Sequence, residues 1–189
     1  MARDGFGRLR RATPDVRRGF GSEAGAVGLQ RARIPILELG RLLRAALPQF
    51  IDLKTTVHAP LPVIHADPTL IQQVIMNLVT NARDALNARF TGYDDNKRID
   101  IIGHAFERGG STWVRISVSD HGGGVPDDVV ARIFDPFFTT KGRDQGTGLG
   151  LSVSHGIIRD HDGDLRLENH AGAGATFHVE LPLMRRRKG

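Results

Sequence analysis

The chain has 189 residues, 40% hydrophobic and 25% charged, enough for one self-supporting domain with tails. It contains no cysteine, which excludes disulfides and Cys-ligated metal sites, and no long apolar run or apolar N-terminal stretch, which argues against a membrane span or a secretory signal in this chain. Net charge is +5, but residues 1–33 carry +5 and residues 185–188 carry +4, leaving 34–184 at −4; the basic charge belongs to the ends, and without interleaved aromatics it does not indicate nucleic-acid binding.

Residues 1–33, rich in Gly and Arg, read as a disordered leader, 34–184 as one folded domain, and 185–189 as a basic C-terminal tail. From Ile34, Leu37, Leu39, Leu42, Leu43, Ala46 and Leu47 recur at helical spacing, and Pro48 closes the run. Residues 53–58 read as a short strand broken by Pro60 and Pro62. Asp67 is an N-cap and Pro68 a first helical residue for a long helix reaching about Phe90. Its apolar residues Leu70, Ile71, Val74, Ile75, Leu78, Val79, Ala82, Ala85 and Leu86 lie within an arc of about 180°. Residues 99–106 and 112–119 alternate as strands, and Glu-Arg-Gly-Gly between them predicts a hairpin. A short helix near 127–133, an irregular segment over 135–148, a helix from Leu149 to about His161 and strands at 164–169 and 175–181 complete the chain. This order predicts an α/β (α+β) two-layer sandwich: a mixed, mostly antiparallel sheet covered on one face by helices.

Three segments carry candidate chemistry. Asn77, Asn81 and Asp84, spaced i, i+4, i+7, share one face of the long helix and border its apolar arc. Amides there serve either as a solvated edge or as neutral oxygen ligands for a hard cation such as Mg²⁺ when phosphates supply the rest. Asp120-His-Gly-Gly-Gly124 follows a strand, where a carboxylate can accept from an exocyclic amine and Gly122 and Gly124 admit a flat ligand, or where the run is a turn with a capping Asp. Gly146-Thr-Gly-Leu-Gly150 opens a helix, and free N–H groups at such a start suit phosphate. It is not a Walker loop, since no G-x-x-x-x-G-K-[ST] occurs. The irregular segment before it, with Lys141 and Arg143, is long enough to act as a lid.

Together these stretches resemble one family. N-L-V-T-N-A-R-D-A (77–85), D-H-G-G-G (120–124), I-F-D-P-F-F-T-T-K (133–141) and G-T-G-L-G-L-S (146–152) are similar to the N, G1, F and G2 boxes of the catalytic ATP-binding domain of sensor histidine kinases. That domain belongs to the superfamily shared with gyrase, the large heat-shock chaperones and the mismatch-repair ATPases. The lead-in at 66–77 and the closing G-A-G-A-T-F-H-V-E-L-P-L (172–183) also match. The resemblance implies ATP and Mg²⁺ as ligands and a flexible ATP lid. It makes Asn81 the metal ligand, Asp84 a group near the metal, and Asp120 the adenine-reading carboxylate, with Gly122 and Gly124 under the base. Phe134, Phe137 and Phe138 become the lid anchor, Lys141 a phosphate neighbour, and Gly146, Thr147, Gly148, Leu149 and Gly150 the phosphate cradle. Thr176 matches a threonine near the adenine. Asn77 stands where gyrase-type members carry a water-activating glutamate; an amide cannot accept that proton, so the site is suited to phosphoryl transfer and poorly suited to hydrolysis.

The acceptor histidine expected of such kinases sits in a pattern like H-E-x-x-x-P on a helical hairpin. None of His58, His65, His104, His121, His155, His161, His170 and His178 lies in that pattern, and they show no metal-ligand spacing. His121 reads as an exposed residue, and His155 as a surface residue in preference to one facing a partner helix. The expected activity is therefore transfer of the γ-phosphoryl of ATP to a histidine on a dimerisation domain in trans or outside this chain, in the cytoplasm, with a response regulator downstream. The alternatives are a non-catalytic nucleotide-binding regulatory module, an anti-sigma-type serine kinase and a gyrase-type ATPase.

Overall fold

The computed structural model describes residues 30–32, 34–141 and 146–183. The expected leader (apart from 30–32), Arg143 and the basic tail lie outside them.

Helix α1 (Ile36–Ala46) turns Ile36, Leu39 and Leu43 inward. The Arg44 guanidinium, in its last turn, donates to the carbonyls of Pro48 (2.8 Å) and Ile51 and so ties down the segment that follows. Helix α2 (Pro68–Arg89) starts where expected: Asp67 Oδ1 accepts from the N–H groups of Thr69 (2.9 Å) and Leu70 (3.3 Å). Its stripe Ile71, Val74, Ile75, Leu78, Val79, Ala82 and Leu86 is buried. At its far end the Lys97 ammonium, only 3% exposed, donates to the carbonyls of Phe90 (3.0 Å) and Gly92 (3.3 Å), closing groups a helix terminus leaves open. Helix α3 (Gly150–Asp160) packs on α2. The two are tied by buried His161, whose Nε2 accepts from the Asp67 N–H (3.0 Å), so that its Nδ1–H donates to the Ile157 carbonyl (2.7 Å).

Five strands form the main sheet: β2 (Asp52–Val57), β4 (Arg98–Arg108), β5 (Ser111–Asp120), β6 (Asp164–His170) and β7 (Gly174–Pro182), in the order β2-β4-β5-β7-β6. The β2–β4 pairing is parallel and the rest are antiparallel. The β4–β5 hairpin turns on Gly109 and Gly110, both at positive φ (57° and 72°), the pattern that matches strand twist in a two-residue turn. Period-2 alternation sends Val114, Ile116 and Val118 of β5 and Ala175, Phe177, Val179 and Leu181 of β7 toward the helices. The opposite face carries charged residues packed over Phe106 and Trp113. There Glu180, fully buried, is covered by the guanidinium groups of Arg108, Arg115 and Arg166.

Two expectations are corrected. Gln30–Ala32, assigned to the disordered leader, forms strand β1, which pairs antiparallel with the unforeseen β3 (Ile64–Ala66) in a separate two-stranded sheet. The short helix near 127–133 is a single 3₁₀ turn over Val130–Arg132, with Ile133 as its buried anchor.

Candidate functional site

A cleft of about 1220 Å³ opens between α2, the end of β5, the 133–141 segment and the start of α3. Asn77, Asn81, Asp84, Asp120, Gly124, Phe138, Lys141, Gly146, Thr147, Gly148 and Gly150 all line it. Helix α2 supplies the floor, because residues four apart stand above one another on a rigid helix. Asn77 Nδ2 donates to Ser154 Oγ (3.2 Å) and the Gly150 carbonyl (3.4 Å), tying α2 to the mouth of α3. The Lys141 ammonium bridges Asp84 Oδ2 (2.6 Å) and Asn81 Oδ1 (3.3 Å). Arg83 holds the other Asp84 oxygen at 2.8 Å. Burial pushes the Asp84 carboxyl upward, but the hydrogen bonds from Lys141 and then Arg83 outweigh it, holding the group below its ordinary range.

At the end of β5, Asp120 is 8% exposed and its Oδ1 accepts from the Gly122 N–H (2.8 Å). Burial raises its pKa; the backbone N–H groups of Gly122 and Ala175 offset this only partly. A carboxylate so placed gains from any donor that enters the cleft.

Several expected residues stand elsewhere. Gly122 does not line the cleft: a Cβ there would lie 2.8 Å from Ala85 Cβ and from Asp120 Oδ1, so its bareness serves packing on α2. Gly124 (φ +73°) lines the cleft, but is bare because a Cβ would lie 2.8 Å from the His170 carbonyl. Thr176 faces the polar side of the sheet, donating to Ser119 Oγ (2.9 Å); the pleat puts Ala175 and Phe177 on the cleft instead. The three phenylalanines part company. Phe134 stacks on His155 at 5.0 Å, Phe138 borders the cleft beneath Arg132, and Phe137 is 75% exposed, meeting Gly148 through its backbone. Leu149 is the N-cap of α3 and stays outside the lining. Neither histidine expected on the surface is free: His155 carries Phe134, and His121 Nε2 is 3.2 Å from Arg98 Nη2 and 3.5 Å from Asp100.

Sequence reasoning missed Arg89, Asn169 and Gly174. Arg89 donates to the carbonyls of His121 (3.0 Å) and Gly122 (2.8 Å). Asn169 grips both polar backbone groups of Val125 (2.8 and 2.7 Å). Gly174, at φ +122°, abuts the Asp120 carbonyl: a Cβ would stand 2.0 Å from it. Only Asn169 left a readable signal, an amide on the inward stripe of β6 with Leu165 and Leu167. Among the described residues no cluster of three or more His, Asp or Glu side chains could hold a metal, and no helix is long and apolar enough to cross a membrane.

Residues 66–185 match the family model of the histidine kinase-, DNA gyrase B- and HSP90-like ATPases. The chain belongs to this family. Among curated relatives, the two-component sensor PprA of Pseudomonas aeruginosa is 44% identical over 131 residues, 67% of this chain and 14% of PprA. The sensor histidine kinase ZraS of Escherichia coli is 38% identical over 138 residues, 73% of this chain and 27% of ZraS. The chain thus spans only a minor part of these relatives. Among solved structures, the catalytic domain of histidine kinase ThkA aligns with a TM-score of 0.64 at 33% identity, covering 82% of this chain and 97% of that one. Full-length ShkA in complex with AMPPNP aligns with a TM-score of 0.66 at 28% identity, covering 86% of this chain and 32% of that one. The α+β sandwich is therefore the histidine kinase catalytic-domain fold.

Proposed function

We propose that residues 34–184 form the ATP·Mg-binding catalytic domain of a two-component sensor histidine kinase. It passes the γ-phosphoryl of ATP to a histidine on a dimerisation domain outside this chain, works in the cytoplasm and serves a response regulator. The observation that carries this reading is convergence: the Asn81/Asp84 pair, buried Asp120 and the glycine-flanked start of α3 line one cleft.

Asp120 accepts the exocyclic amine of adenine, and its burial makes an unmatched base costly. The N–H groups at the start of α3, bordered by Gly146, Thr147, Gly148 and Gly150, face the phosphates. Asn81 and Asp84 already hold a cation between hard oxygens, the Lys141 ammonium, so the donor set suits Mg²⁺ with Asn81 as a direct ligand. Bound there, the ion would supply charge neutralisation for the phosphates. Lys141, which lines the same cleft, would add positive charge there once released from Asp84. Asn77 is committed as a donor and cannot take a proton from water, which favours transfer over hydrolysis. In the transfer, an imidazole nitrogen of the acceptor forms the new bond to the γ-phosphorus as the bond to the β–γ bridging oxygen breaks, releasing ADP. The chain contributes positioning and electrostatics and no covalent intermediate.

The test mixes the purified chain with γ-labelled ATP and a histidine-bearing hairpin from a sensor histidine kinase. Acid-labile phosphohistidine on the hairpin is expected. Tight ATP binding with no labelled acceptor from any related kinase would leave a binding module instead.

A further inference from the structure

The stretch His121–Val125 has no regular secondary structure, yet its backbone is held from three sides. The Arg89 guanidinium, from the last turn of α2, donates to the carbonyls of His121 (3.0 Å) and Gly122 (2.8 Å). The Gly172 N–H, from the β6–β7 turn, donates to the Gly123 carbonyl (2.8 Å). The Asn169 amide, from β6, accepts from the Val125 N–H (2.8 Å) and donates to the Val125 carbonyl (2.7 Å). Within the loop the Gly122 N–H goes to Asp120. A loop so rich in glycine has a large conformational entropy to lose, and each of these bonds removes alternatives before any ligand arrives.

We propose that Arg89 and Asn169 are positioning residues for the purine end of the cleft. They hold the 121–125 loop in the shape that leaves Asp120 and the backbone of Gly123 and Gly124 facing the base. The inference rests on the adenine-nucleotide reading above and adds two residues to it. Neither needs to touch the reacting phosphates: Arg89 bonds the carbonyls that directly follow Asp120, whereas Lys141 is held by Asn81 and Asp84.

The experiment uses the full chain with Arg89→Met, Arg89→Lys and Asn169→Leu, titrated with a fluorescent ATP analogue and, by calorimetry, with ATP, ADP and adenosine. Arg89→Met and Asn169→Leu are each expected to weaken all three unlabelled ligands by about the same factor, roughly tenfold, since the shared part is the purine end. Arg89→Lys, which keeps one charged donor, recovers part of the loss. In the nucleotide-free protein, amide hydrogen exchange at 122–125 speeds up at least tenfold in both truncating variants, while the amides of β5 and α2 stay protected. With acceptor present, KM for ATP rises and kcat holds. Unchanged affinity with unchanged exchange would overturn the proposal, as would a loss that grows with the number of phosphates. A wild-type chain that binds no adenine nucleotide would instead bring down the functional reading itself, and this assignment with it.

Discussion

Gly174 joins fold and site in one atom. A Cβ at this position would lie 2.0 Å from the Asp120 carbonyl oxygen and 2.9 Å from its carbon, and the backbone φ of +122° is one that L side chains rarely adopt. Gly110, at φ +72° in the β4–β5 turn, has nothing within 4 Å of its Cβ position. The pair separates steric from dihedral cost. Gly110→Ala carries only the positive-φ penalty, about 1–2 kcal/mol. Gly174→Ala carries about 1–3 kcal/mol for its dihedral and about 1–3 kcal/mol more for forcing backbone apart, roughly 4 kcal/mol in all. For a domain of this size each kcal/mol moves Tm by about 2–4 °C, so thermal melting should show losses of about 4 °C and about 12 °C respectively. Because the clash pushes on Asp120, Gly174→Ala should also weaken binding of a fluorescent ATP analogue at least tenfold at a temperature where it stays folded, whereas Gly110→Ala binds as wild type. Equal melting losses for the two variants, with equal affinity, would refute the close approach on which the argument rests.

Two further outcomes are expected. Burial raises the Asp120 pKa above the ordinary carboxylate value of about 3.9, so the folded state favours its protonated form. The Tm difference between wild type and Asp120→Ala should therefore shift in favour of wild type as pH falls from 7 toward 4, and level off below that; a shift in the opposite direction would contradict the burial assignment. Lys97→Met leaves two carbonyls at the end of α2 without their donor and should cost about 2 kcal/mol, or roughly 6 °C in a melting scan, while Lys54→Met, at an exposed position, stays within about 0.5 kcal/mol of wild type.

What could be read from the chain followed how local each signal was. Asp67 and Pro68 announce α2, and its apolar stripe forecasts the buried face except at Leu70 and Ala85, which lie at its margins and are half-buried, because caps and periodicity act within one helix. Spacing alone also puts Asn77, Asn81 and Asp84 on one face, and the cleft does form there. Pairings between distant segments left no such trace. Strand β3 is three residues long behind Pro60 and Pro62, and its partner β1 sits in a Gly/Arg-rich stretch. Thr176 shows how little it takes to misplace a side chain: one step along a strand exchanges cleft for open face, and Ala175 holds the inward position. Arg89 and Asn169 escaped notice because they act on backbone groups of a loop remote in sequence, 32 and 44 residues from their partners.

The most direct test of the account is a titration of ATP against the wild-type chain, Asp120→Ala and Asn81→Ala, each with and without Mg²⁺. The account predicts that wild type binds and that Mg²⁺ tightens the complex. It predicts that Asp120→Ala loses most affinity under both conditions, and that Asn81→Ala loses chiefly the increment due to Mg²⁺. Nucleotide affinity indifferent to both substitutions would contradict it, because the carboxylate and the amide would then not share a ligand.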